Sequence, residues 1–81
     1  MTVVGTVKDW LVSRRHAYIQ TFDNPYGEKV LKDLAGFCRA KSSTFNKDPR
    51  HHALLEGRRE VWLRISAHLN LTEEELFEKF K

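Results

Sequence analysis

FNKDPRHHALLEGRREVWLRISAHLNL, residues 45–71, is the stretch whose reading decides the fold. Asp48 offers a side-chain acceptor to free backbone N–H groups, and Pro49 behind it has the fixed φ and missing N–H that suit a first helical position. The spacing predicts a long helix from Pro49 to about Leu69. On a wheel of about 100° per residue, Leu54, Val61, Trp62, Ile65 and Leu69 share one face of that helix. Arg58 falls near the middle of the face, where a lone charge is costly unless it is paired or its head reaches water. Gly57 also needs compensation, because an interior helical glycine costs roughly 0.5–1 kcal/mol relative to alanine. Close approach by Phe45 or by the preceding helix is the expected reason, and a bend between Glu56 and Arg58 is the alternative.

Upstream, KSSTFNK at residues 41–47 has the composition of a connector, with Phe45 as the side chain expected to pin it to the core. Before it, Tyr26, Val30, Leu31, Leu34, Phe37 and Cys38 predict a second helix from about Pro25 to Arg39, with Asn24 as its N-cap and Pro25 opening it. A first helix is expected over Thr6 to Phe22, carrying Val7, Trp10, Leu11, Tyr18 and Phe22 on one stripe. Downstream, Thr72 and Glu75 form a capping-box signature for a short last helix holding Leu76, Phe77 and Phe80. No period-two alternation bounded by turn residues occurs, so no strand is expected. The reading is a single compact all-α domain over residues 1–81: three main helices and a short fourth, at about 6–22, 25–39, 49–69 and 72–80.

Eighty-one residues, 41% hydrophobic and 31% charged, describe an ordered small domain, near the size at which a partner or a second copy helps stability. Cys38 is the single cysteine, which excludes an intrachain disulfide and points to a reducing compartment. No signal-peptide pattern and no apolar run of roughly 20 residues is present, so neither secretion by that route nor a membrane span is expected. The net charge of +3 is uneven: residues 1–72 carry 12 Lys and Arg against 7 acids, and residues 73–81 carry 2 Lys against 4 Glu. A basic body with an acidic tail could meet an acidic protein surface or nucleic acid, although +5 is low for a dedicated nucleic-acid binder.

Arg14 repeats in the first helix the oddity of Arg58, standing among Val7, Trp10, Leu11 and Tyr18. Asp33, at the border of the second helix's stripe, is the best-placed carboxylate for either arginine. Each guanidinium then pairs internally or snorkels over its stem; otherwise it meets carboxylates or phosphates of another chain. Opposite the third helix's apolar face lie His52, Arg59 and Leu63, and Val12 and Ile19 lie off the main stripe of the first helix. Together they form a candidate partner interface, and they favour self-association, including a ring, or docking. His16, His51, His52 and Cys38 do not make a zinc set, since adjacent histidines on a helix diverge by about 100°. Glu56 and Glu60 read as solvated acids rather than a catalytic pair, and the four glycines form no phosphate loop. No catalytic residue, metal or cofactor is expected.

Phe45, Asp48, Pro49, Glu56, Gly57, Arg58, Arg59, Val61, Leu63, Ile65 and Leu69, preceded by Phe37 and Cys38, resemble a family of small tailed-phage proteins. The family is typified by a short Bordetella podophage protein whose genes lie among virion-assembly genes, and the resemblance covers about residues 30–72. It implies a phage-encoded, non-enzymatic component of the virion, near the portal or among the ejected internal proteins. Other virion proteins would be its partners, with the host cytoplasm as its place during assembly. The rival expectation is a phage DNA-binding or host-takeover protein in which Lys8, Arg15, Lys29, Lys32 and Arg39 contact phosphates.

Overall fold

The computed structural model describes residues 3–80, with side chains from residue 7 onward. Four helices follow in order: α1 (Val3–Phe22), α2 (Pro25–Phe37), α3 (Pro49–Asn70) and α4 (Glu73–Phe80). Among the described residues there is no strand. The class is all-α, with three main helices and a short C-terminal one.

The helix boundaries have local chemical causes. Asn24 closes one helix while opening the next: its Nδ2 donates to the Gln20 and Thr21 carbonyls at 3.1 Å each, and its Oδ1 accepts from the Gly27 N–H at 2.8 Å. Gly27 lies at the floor of this turn, where a Cβ would sit 2.5 Å from the Phe22 Cα. Asp48 accepts from the Arg50 N–H at 3.0 Å with Pro49 in the first turn of α3. The Thr72–Glu75 capping box forms reciprocally, at 3.2 Å from the Glu75 N–H to the Thr72 hydroxyl and 3.1 Å from the Thr72 N–H to the Glu75 carboxylate.

Two boundaries differ from expectation. α1 starts at Val3 rather than Thr6, running through Gly5, because single-residue propensity only weakens a helix and does not stop it. α2 ends at Phe37 rather than Arg39. There the Arg39 N–H donates to the Gly36 carbonyl at 3.2 Å and the Ala40 N–H to the Ala35 carbonyl at 2.9 Å, and Arg39 sits in the left-handed region at φ 53°. That is a Schellman stop with arginine where glycine is usual.

α1 and the C-terminal half of α3 run antiparallel. Arg15 Nε donates to the Leu71 carbonyl at 3.1 Å, Tyr18 stacks on His68, and Phe22 shares a groove with Val61 and Ile65. α4 folds back on α1, placing Leu76 and Phe77 beside Leu11 and Val12. The N-terminal half of α3 extends beyond α1 and meets the end of α2 and the connector that follows it.

The chain measures 51 × 31 × 15 Å, barely thicker than one helix of about 10–12 Å. Its radius of gyration of 15.3 Å exceeds the about 12 Å of a spherical domain of this length. Helices in one layer pack along their edges, so each buries a narrow strip rather than a whole face. Leu11, Cys38, Leu55, Ile65, Ala67 and Leu76 form the buried apolar core. Val7 and Trp10 on α1, Tyr26, Val30 and Phe37 on α2, and Leu54 and Val61 on α3 were all expected inside and are exposed. On α3 the buried strip is rotated by one position, taking Leu55 in place of Leu54.

Gly57 and Phe45 also need correction. Nothing lies within 4 Å of a Cβ added at Gly57, so no close approach explains it, and α3 runs unbroken through it. Phe45 is 72% exposed and does not pin the connector. Its neighbour Thr44 does: the buried Thr44 hydroxyl donates to the Glu56 carboxylate, and the Thr44 carbonyl lies 3.0 Å from His52 Nδ1. In an extended segment successive side chains point to opposite sides, so burying Thr44 turns Phe45 outward.

Candidate docking surface

The EGRR segment separates into distinct tasks. Glu56 holds Thr44. Arg59 donates to the Ser42 carbonyl at 3.2 Å and the Arg39 carbonyl at 3.4 Å, tying the turn after α2 to α3. These bonds satisfy connector carbonyls that a one-layer fold would otherwise leave to water. Arg58 points elsewhere, with its guanidinium 4.3 Å from the centre of the Phe37 ring.

The same device recurs at the other end. Arg14 lies 4.5 Å from the Trp10 ring centre and 5.5 Å from that of Phe80, and Arg64 lies 5.1 Å from Phe80. Cation–π contact with an aromatic face replaces the ion pairs expected for Arg14 and Arg58, for neither reaches Asp33, which is exposed on α2. Arg14 Nε and one terminal nitrogen are buried without an acceptor. Burial, with the nearby Arg64 charge adding and Tyr18 opposing, draws the Arg14 guanidinium below its ordinary pKa.

Leu54, Arg58 and Val61 recur at intervals of four and three and so share a face of α3, and Tyr26, Val30 and Phe37, at intervals of four and seven, share one on α2. The Arg58–Phe37 contact joins the two stripes. Val61 continues toward Arg64 through a groove shared with Ala17 and Thr21 of α1. The result is an exposed apolar surface carrying Arg58 and Arg64, whose guanidiniums have no carboxylate partner among the described residues. Tyr26 at 82% and Phe37 at 57% exposure are its most prominent aromatics.

Behind the Arg14 end is a histidine that sequence reasoning did not single out. His68 is fully buried, stacked between Tyr18, with ring centres 4.2 Å apart, and Phe80, at 5.2 Å. Its Nδ1 lies 2.8 Å from the Arg64 carbonyl, and its Nε2 has no partner. With that geometry Nδ1–H donates and the ring is neutral. Desolvation is the main cause holding its pKa below the usual histidine value; the carbonyl bond opposes this, while Arg14 and Arg64 reinforce it.

The residues expected at an interface are dispersed. His52 and Arg59 serve the connector, Val12 packs beside Leu76 and Phe77, and Ile19 lines a groove with Leu31 and Leu69. Leu63 remains exposed on α3, in a groove it shares with Val61, Arg64 and Phe80. Of the expected phosphate contacts, Arg15 is bonded to the Leu71 carbonyl and Arg39 to the Ser43 carbonyl at 3.3 Å. Lys29 and Lys32 are exposed on α2, and Lys8 is exposed beside Glu73 at the α1–α4 crevice. Among the described residues no cluster of His, Cys, Asp or Glu could hold a metal, and no helix is long and apolar enough to cross a membrane.

No curated protein and no solved structure matches the chain. Residues 18–80 match a family of phage proteins, a segment that takes in Tyr18, Phe37, the EGRR segment, His68 and Phe80 and leaves Trp10 and Arg14 outside. The match reaches further in both directions than the 30–72 segment of the resemblance, and since it spans most of the sequence, the chain belongs to the family of Bbp19-like phage proteins.

Proposed function

We propose that this phage protein is a structural or assembly component of the virion, near the portal or among the internal, ejected proteins, and that it works by docking rather than by catalysis. The observation that carries the reading is the open face running from Tyr26 and Phe37 across Leu54, Arg58 and Val61. Contiguous apolar surface beyond a few hundred Å² marks interaction sites on soluble proteins, and arginine and aromatic residues are the types enriched where protein interfaces are tightest. Other virion proteins, further copies of this chain among them, are the partners this reading names. The virion is its location, and the host cytoplasm its place during assembly.

The nucleic-acid reading is less well supported, because two of its five cations, Arg15 and Arg39, already hold backbone carbonyls. Mass spectrometry of gradient-purified particles tests the proposal. The chain should be present at a fixed ratio to the major virion proteins and should survive a high-salt wash. Its absence from particles, with abundance confined to the infected-cell lysate, would contradict the proposal.

A further inference from the structure

The face and the tail of this chain carry opposite charge. Arg58 and Arg64 line the exposed face with their guanidiniums on aromatic rings, and among the described residues no carboxylate is in contact with either. On α4, Leu76, Phe77 and Phe80 turn inward, which leaves Glu74 and Glu78, four residues apart, exposed along the outer edge. An arginine is a better partner for a carboxylate than a lysine, since its planar fork binds both oxygens.

The exposed area points to an occupant of protein size. The chain presents 6299 Å² to solvent, while a compact monomer of 9.5 kDa presents about 5,050 Å², an excess of about 1,250 Å². One partner contributes about 800 Å² to a standard interface. A symmetric contact of the face with itself would oppose arginine to arginine, and like charges set face to face disfavour it. A contact between two different surfaces avoids that conflict, and the chain carries both halves.

We infer that copies of this protein associate head to tail, the Glu74–Glu78 edge of one seated on the Phe37–Arg58–Val61–Arg64 face of the next. The inference rests on the docking function proposed above and names one partner and both surfaces. A contact of this kind uses each surface once per copy, so it propagates and either closes into a ring or extends as a filament.

Sedimentation velocity across the micromolar range, with circular dichroism as the control for folding, tests the arrangement. Wild type should form oligomers beyond the dimer. R58A/R64A and, separately, E74K/E78K should each weaken association by about tenfold or more while retaining helicity and the melting temperature of dilute wild type. The glutamate variant alters only exposed positions and keeps the test valid if the arginine variant unfolds. Mixing the two variants should restore one contact and stop at a 1:1 dimer, because one copy brings an intact edge and the other an intact face. A wild-type monomer, variants that associate as well as wild type, or a mixture that stays monomeric would overturn the inference. A monomer whose face binds a fluorescent oligonucleotide through Arg58 and Arg64 would also overturn it, assigning the surface to phosphates. A monomer found in purified particles defeats this inference alone; an oligomer absent from them defeats the virion role alone.

Discussion

The two halves of α3 handle the same sequence chemistry in opposite ways. In the C-terminal half, Ile65, Ala67 and His68 are enclosed by α1 and α4, with His68 clamped between two rings. In the N-terminal half, only Leu55 is buried among the apolar side chains, Leu54 faces solvent, and Arg58 lies over a Phe37 that is itself exposed. Hydrophobic periodicity is present in both. What differs is the packing: three elements meet around residue 68, while the half around residue 54 meets chiefly the end of α2 and a connector. An apolar stripe therefore specifies a helix without specifying that the stripe is covered by the same chain.

The most forceful way to break this comparison is to truncate one leucine from each region. Leu76, at 1% exposure in the closed end, is expected to cost about 2–5 kcal/mol as Leu76→Ala in urea denaturation. Leu54→Ala in the open half should stay within about 0.5 kcal/mol, as a surface change does. Equal losses would remove the distinction between the halves. Next in size, Gly27→Ala should destabilise by about 2 kcal/mol or more, because the new methyl meets the Phe22 backbone, which cannot swing aside as a side chain could.

A smaller effect concerns pH. His68 faces Arg14 and Tyr18 from α1, Arg64 from its own helix and Phe80 from α4. Its pKa is lowered on folding, so the unfolded chain takes up the proton more readily, and linkage makes stability rise with pH in this window. The contribution is complete above the ordinary histidine value of about 6.5 and is lost as pH falls through the lowered folded value. The urea midpoint of wild type should drop between pH 7.5 and 5 by more than that of His68→Phe, which keeps the stack without the buried proton acceptor. Parallel pH profiles would show that the closed end does not sense protons through His68. Smallest, and opposite in sign to Gly27, Gly57→Ala should stabilise by roughly 0.5–1 kcal/mol, since it adds a methyl to open space within a helix.

What was legible in the sequence follows the range of the interactions. Asn24, Asp48 with Pro49, and Thr72 with Glu75 act over two or three residues, and all three mark helix starts as read. Gly27 and Gly57 look alike in sequence, yet only the fold of the α1–α2 turn makes one of them indispensable. Thr44 rather than Phe45 anchors the connector because a hydroxyl can satisfy Glu56 where a phenyl ring cannot, and hydrophobicity alone ranks them the other way. Arg14 and Arg58 are legible as charges in apolar stripes, and Trp10 lies one turn before Arg14, but the Phe80 and Phe37 rings come from other helices. His68 left no sequence signal beyond its place at the margin of a stripe.

The central claim is that the open half of α3 is completed by another copy of the chain. It is tested most directly by thermal unfolding at a series of protein concentrations, because association that favours the folded state raises the midpoint by mass action. The expected result is a midpoint that climbs steadily with concentration for wild type and stays flat for E74K/E78K. A wild-type midpoint independent of concentration would contradict the claim.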